Sequence, residues 1–176
     1  MEQTEAILIR RHAWSDTSLI LTWSTADYGK VQTVAKGARR AGSAFAGRLD
    51  LFHRVEIGYV LARRGDLHTL REIRLIDPFA ASAAANLFLA GYFSEVVDLS
   101  TEPGQPVPEI HDLLSRGLNY LSGNPATERA LVFFEVELCR LLGVLDVHGA
   151  VLNELERYCG KIPSSRNEAL RLLGNS

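Results

Sequence analysis

Long apolar runs, cysteines and clustered metal ligands are what this sequence has least of. The longest uncharged stretch of the 176 residues, Pro78 to Ser94, contains Asn86 and falls short of the roughly 20 apolar residues that cross a bilayer. It reads as a buried helix. The opening Met1-Glu2-Gln3-Thr4-Glu5 lacks the basic region and apolar run of a secretory signal, so export is not expected. Cys139 and Cys159 are too few for a disulfide framework and too far apart in sequence for a CxxC pair. They predict a reducing, cytoplasmic setting, with no metal and no other cofactor.

Catalytic motifs are missing as well. Gly29-Lys30 is followed by Val31 and Gly160-Lys161 by Ile162, so neither is a phosphate loop. Ala41 stands where a nucleophile elbow around Ser43 would need glycine. The histidines, His12, His53, His68, His111 and His148, are scattered, and none has a second His or Cys within four positions. Glu135 and Glu137, two apart on a helix, face different directions and cannot act as a carboxylate pair. An enzyme is not expected.

What is present is an ordinary globular composition, 47% apolar and 23% charged, with the charge unevenly placed. Net charge is -2, yet residues 1–75 hold twelve Lys and Arg against eight Asp and Glu, and the remainder holds seven against thirteen. The basic excess concentrates between Tyr28 and Leu49, where Lys30, Lys36, Arg39, Arg40 and Arg48 occur with no acidic residue. Such a patch attracts a polyanion.

Period-2 alternation marks five strands in the first half: Ala6–Arg11, Ser18–Thr25, Lys30–Ala35, Phe52–Ala62 and Thr69–Leu75. Val55, Ile57 and Tyr59 point one way, and Glu56, Gly58 and Val60 the other. Asp27-Tyr28-Gly29-Lys30 and Arg64-Gly65-Asp66 read as turns. Five short strands in so few residues suggest a small closed barrel, which leaves no exposed edge. The segment from Lys36 to Gly47, with its three glycines, reads as a mobile loop able to bring backbone N–H groups to a ligand.

Beyond Pro78 the period becomes helical. Leu87, Phe88, Gly91, Phe93, Val96, Val97 and Leu99 lie close to one face, and prolines break the pattern before Pro108. Further helices are predicted over Pro108–Leu121 and from Thr127 to Leu142, the latter capped by Asn124 or Thr127 and stopped by Gly143. Its core residues are Leu131, Phe134, Val136, Leu138, Leu141 and Leu142. Two short helices, Leu152–Tyr158 and Asn167–Leu173, close the chain. The fold class is α+β, with a barrel over residues 1–76 and a helical domain over 77–176.

Cations on a glycine-bearing loop beside Trp14, Trp23, Tyr28, Phe45 and Tyr59 fit nucleic-acid binding, in which cations neutralise phosphates and aromatic faces stack on unpaired bases. The competing reading of Trp23 and Phe45 is burial in the core. A different class of reading makes the acidic helical half a protein-interaction adaptor, with only weak nucleic-acid contact from the basic loop.

Trp14-Ser15-Asp16-Thr17-Ser18, Thr25, Gly29 and Ala35-Lys36-Gly37-Ala38-Arg39-Arg40, followed by Ser43, Leu49 and Phe52, resemble the N-terminal domain of the RecO family of bacterial recombination mediators. Tyr92-Phe93-Ser94-Glu95, and Phe134-Glu135 ahead of Leu141-Leu142-Gly143, extend the likeness to about residue 145. The resemblance implies an OB-fold followed by a helical domain. It also implies a protein that binds single- and double-stranded DNA, anneals strands, and helps load a recombinase onto DNA coated with single-strand-binding protein. Implied partners are a RecR-type protein and the acidic, phenylalanine-ended tail of single-strand-binding protein, in the cytoplasm at the nucleoid. Many relatives carry a four-cysteine zinc site and a longer C-terminal section, so the likeness is to a short form without that site. Relatives often place a basic residue just before the Phe-Glu pair, where Val132 and Phe133 stand here. Arg129 and Arg140, eleven positions apart, project to nearly the same side of the third helix, and Arg129 is expected to border a tail pocket with Phe133 in its floor.

Overall fold

The computed structural model describes residues 1–145 and 150–174, so His148 lies outside the described residues. Five strands, β1 (Glu2–Ala13), β2 (Leu19–Thr25), β3 (Gly29–Ala35), β4 (Arg54–Val60) and β5 (Leu67–Asp77), are followed by five helices. The helices are α1 (Ala84–Ser100), α2 (Pro108–Gly123), α3 (Glu128–Leu141), α4 (Val151–Cys159) and α5 (Ser165–Leu173). No helix among the described residues is long and apolar enough to cross a membrane. Two compact units result. One comprises residues 1–79 with 101–111, and the other residues 80–100 with the described residues from 112 onward.

The strands close into a barrel in the order β1-β2-β3-β5-β4, antiparallel except for β3 against β5. β1 serves both sides of the closure, pairing with β4 over Glu2–Ile7 and with β2 over Ala6–Ala13. An irregularity between Leu8 and Arg10 lets so long a strand bend between its two partners. Alternation fills the interior with Leu8, Leu21, Trp23, Val31, Ile57 and Tyr59, all within the buried core. Trp23 is fully buried because its one polar atom is satisfied: Nε1 donates to Thr33 Oγ1 at 2.8 Å. β4 begins two residues later than its apolar pattern suggests. Phe52 has a φ of 70°, turns out of the strand, and packs edge-on against Phe79, with its N–H donating to the Leu8 carbonyl.

The β2–β3 turn is held by Thr25, whose hydroxyl donates to the Gly29 carbonyl and accepts from the Tyr28 N–H. Residues 101–106 run back over this turn: Pro103 bridges to Gly29 and Lys30, and the Gly104 N–H donates to the Lys30 carbonyl. Gly29 combines a φ of 67° with this close approach, for a Cβ there would lie 2.1 Å from the Gln105 carbonyl oxygen.

In the helical unit the sequence pattern placed the face of α1 slightly off. Leu87 and Phe88 are exposed, whereas Asn86, Tyr92 and Ser94 are buried. Two of the buried polar residues have built-in partners. Asn86 Nδ2 donates to the carbonyls of Leu121 and Asn124, and the Tyr92 hydroxyl donates to Glu135 Oε1 at 2.7 Å. α3 is capped by Thr127, which accepts from the Ala130 N–H, and buries Leu131, Phe134 and Leu138, while Val136, Leu141 and Leu142 are half-buried. Phe134 stacks on Phe93 with centroids 3.8 Å apart, beside Gly117. Glu135 and Glu137 do face different ways. Glu137 pairs with Arg140 near the surface, and Glu135 is buried in a bidentate ion pair with Arg166 of α5, Nε to Oε1 at 2.6 Å. Burial and the Glu135 carboxylate push the Tyr92 hydroxyl far above its ordinary range, so it remains a donor.

Two stability outcomes are expected from urea unfolding. Gly29→Ala should cost about 2–5 kcal/mol, adding backbone displacement to the left-handed penalty. Gly42→Ala, at a φ of 73° with nothing within 4 Å of the added Cβ, should cost only about 1–2 kcal/mol. Equal losses would show that the approach of residues 103–106 does not constrain the turn. Glu135→Ala should cost about 3–5 kcal/mol by leaving the Arg166 guanidinium without its counter-charge. A loss below about 1 kcal/mol would show that the pair contributes no more than a surface bridge.

Candidate nucleic-acid interface

The basic segment leaves β3 at Lys36 and returns to the barrel at Leu49, where Leu49 is buried and Ala38, Phe45 and Leu51 pack on the core. Its backbone is a succession of tight turns. The N–H groups of Arg40, Ser43, Ala46 and Arg48 donate to the carbonyls of Gly37, Arg40, Ser43 and Phe45. This corrects the expectation of a loop with free amides, because the main-chain donors are largely spent inside the protein. The loop's exposed polar groups are therefore chiefly its side chains.

The segment is also fastened to the β1–β2 connection. The Arg39 N–H donates to the Thr17 carbonyl at 3.0 Å, its guanidinium to the Ser15 carbonyl at 3.1 Å, and the Gly37 N–H to the Ser18 hydroxyl. At the far end Arg48 reaches the carbonyls of Ala44 and Ile73, and Arg11 those of Leu49 and the Asp50 carboxylate. Arg39 and Arg48 are thus exposed cations that brace the loop through carbonyl oxygens, which leaves their charge uncompensated.

Lys36 and Arg40 have no such engagement. Both are exposed, and neither side chain has a hydrogen-bond or ion-pair partner among the described residues. Together with Trp14, Val34, Leu67 and Thr69 they line a cavity of about 580 Å³ on the barrel surface. Lys30 lies six residues back along the same outward row of β3, roughly 20 Å away, at a separate cavity with Tyr28 and His68. The five cations are therefore a strip along β3 and its loop and not one cluster.

Two cations escaped the sequence reading. Arg63 and Arg64, at the β4–β5 turn, are exposed and unpaired among the described residues. The parallel pairing of Gln32 with Leu67 brings that turn to the Lys30 end of β3. Their signal was the doubled arginine itself, which served only to locate a turn.

Of the aromatic candidates, Trp23 and Tyr59 belong to the core, and Phe45 is half-buried against it. Tyr59 lies under the His68 ring, stacked at 5.4 Å, and burial pushes its hydroxyl up to about 12. Tyr28 donates its hydroxyl to Glu2, a bond that raises its pKa. Trp14 is different, with 60% of its surface exposed.

In the helical unit Arg129 and Phe133 line one cavity of about 470 Å³, over Phe93 and Phe134. Phe133 is more than half exposed. Arg140 is not at this cavity; it is held by Glu137 one turn earlier. The second cation at the cavity is Arg116 of α2, itself paired with Asp112.

Among the described residues no group of three His, Cys, Asp or Glu is placed to hold a metal ion. Cys139 is buried, hydrogen-bonds to the Val151 carbonyl, and has its thiol pushed up to about 11 by burial. That environment disfavours a thiolate.

Comparison with known proteins agrees with this architecture. Residues 1–79 match the family model described as Recombination protein O N terminal, and residues 82–145 that described as Recombination protein O C terminal. Proteins named DNA repair protein RecO are similar to the chain. That of Pelobacter propionicus is 31% identical over 144 residues, covering 81% of this chain and 58% of its own length. That of Geobacter metallireducens is 35% identical over 143 residues, covering 80% and 58%. In Syntrophus aciditrophicus the relative is 29% identical over 164 residues, covering 89% and 63%. The chain thus spans somewhat more than half the length of these curated relatives. With a closed five-stranded barrel over the first matched segment and helices over the second, the chain belongs to the RecO family of DNA repair proteins.

Proposed function

We propose that this protein is a recombination mediator that binds single- and double-stranded DNA, promotes annealing of complementary strands, and helps load the recombinase onto DNA coated with single-strand-binding protein. The barrel domain, residues 1–76, carries the DNA, and the helical domain, 77–176, carries protein contacts in the cytoplasm at the nucleoid. One observation carries the reading: Lys36 and Arg40 face solvent without a carboxylate, on a loop whose other cations, Arg39 and Arg48, are spent only on neutral carbonyls. Elsewhere on the barrel, Arg54 and Arg74 are neutralised by Glu5 and Glu56. Uncompensated cations at Lys36 and Arg40, with Lys30 further along the same strip, suit a phosphate backbone, from which each neutralised phosphate releases counterions.

Fluorescence anisotropy of a labelled single strand, titrated at several salt concentrations, tests this. Lys36→Ala with Arg40→Ala leaves the Arg39 brace in place and should reduce the slope of log K against log salt by roughly 1.4, at about 0.7 per phosphate contact. Annealing of complementary strands should slow in parallel. An unchanged slope would move the DNA site elsewhere.

The helical cavity supports the partner half of the proposal. An acidic peptide ending in phenylalanine, the chemistry of the single-strand-binding protein tail, needs an apolar recess for its ring and a cation for its carboxylates. Phe133 and Arg129 offer both, and a RecR-type protein is the further partner of the assembly. In a peptide titration Arg129→Glu should weaken binding roughly tenfold or more, by removing a charge-assisted bond. Arg140→Glu, away from the cavity, should leave affinity unchanged. Equal effects of the two would exclude this recess.

A further inference from the structure

Trp14 stands apart from the other aromatic residues of the barrel. A tryptophan 60% exposed on a small protein leaves a large apolar ring in water, on a backbone that is held in place. The Trp14 N–H donates to the Ser18 carbonyl at 2.9 Å, and so does that of Ser15 at 3.3 Å, closing a tight connection between β1 and β2. Arg39 then clamps this connection from the basic loop, through its own N–H to Thr17 and its guanidinium to Ser15. The backbone that carries the ring is fixed before any ligand arrives, so only the side chain remains to be ordered on binding.

Its surroundings name the ligand. Lys36 and Arg40 lie at the same cavity, whose floor of Val34, Leu67 and Thr69 offers no charge. A flat aromatic face beside two uncompensated cations is the arrangement that takes a planar base on one side and its phosphates on the other. The remaining aromatic candidates cannot do this: Trp23 and Tyr59 are fully buried, Phe45 packs against the core, and Tyr28 is tethered by Glu2.

We infer that Trp14 is a stacking platform for an unpaired nucleobase, and that it adds to the basic strip a preference for single over double strands. The inference rests on the reading of this strip as the DNA site. Cations see phosphates in either form of DNA, whereas the ring is satisfied only by a base whose faces are free. Trp14 therefore adds to single-strand affinity without adding to the salt dependence.

The test uses the full chain with three probes: a labelled oligo-dT, an abasic strand of equal length, and a duplex. Tryptophan emission supplies a second readout, since the only other tryptophan, Trp23, is enclosed in the barrel. Oligo-dT should quench the emission of the wild type and leave that of Trp14→Phe nearly unchanged. Trp14→Ala should weaken oligo-dT binding by about five- to a hundredfold. Its affinity for the abasic strand and the duplex, and its salt slope, should equal those of the wild type. Trp14→Phe, which keeps an aromatic face, should recover most of the oligo-dT affinity. Salt-dependent DNA binding with no quenching and no loss in Trp14→Ala would overturn this inference alone. Equal losses on all three probes would also overturn it, by assigning Trp14 a role in shaping the loop. Failure of the wild type to bind any probe would overturn the DNA-binding reading and this inference with it.

Discussion

Closure of the barrel is the constraint from which the site follows. β3 pairs with β5 and not with the next strand in sequence, β4, so the chain from Ala35 to Arg54 has to pass the end of an intervening strand. Arg48 marks that passage by bonding the Ile73 carbonyl of β5, and Leu49 secures it by burial in the core. The crossing segment cannot join a ladder, so its amides are satisfied by turns. Ala38 and Phe45 pack against the core, and the cations of the segment are left exposed. The basic character of the loop is exposed because the topology gives it nothing to pair with.

The same constraint explains where charge is balanced. Along the strands, cross-strand neighbours bring Arg54 to Glu5 and Arg74 to Glu56, pairing that regular register makes available. The 36–48 segment has no register and no acidic residue, so its cations find carbonyls or water. In the helical unit the opposite holds for Glu135 and Arg166, where burial makes a counter-charge and the Tyr92 hydroxyl obligatory. One set of charges is organised by the fold for the fold. The other is left facing solvent without a counter-charge.

Much of the architecture was legible in the residues. Alternation at Val55, Ile57 and Tyr59, the turn at Gly29, and the change of period near Pro78 mark strands and helices within a few residues of their observed limits, because each is a local signal. The Thr127 cap and the Gly143 stop are local too. Errors arose where burial depended on a distant partner. Asn86 and Tyr92 lay outside the expected buried face, and their burial depends on the carbonyls of Leu121 and Asn124 and the carboxylate of Glu135. Leu87 and Phe88 looked like core but are exposed, while Phe93, Val96 and Val97 of the same expected face are buried.

For the site, composition alone determined that positive charge is concentrated between Tyr28 and Leu49, where five cations occur without an acidic residue. Of five aromatic residues nearby, the sequence raised burial in the core only for Trp23 and Phe45. Tertiary structure separated them, placing Trp23 and Tyr59 inside the barrel and Trp14 outside it, through register across strands far apart in the chain. It likewise turned Arg39 into a brace, left Lys36 and Arg40 open, and brought Arg63 and Arg64 toward Lys30. Charge acts over distance and survives in a list of residues, whereas exposure and hydrogen bonding depend on which surfaces meet, and only the closed barrel decides that.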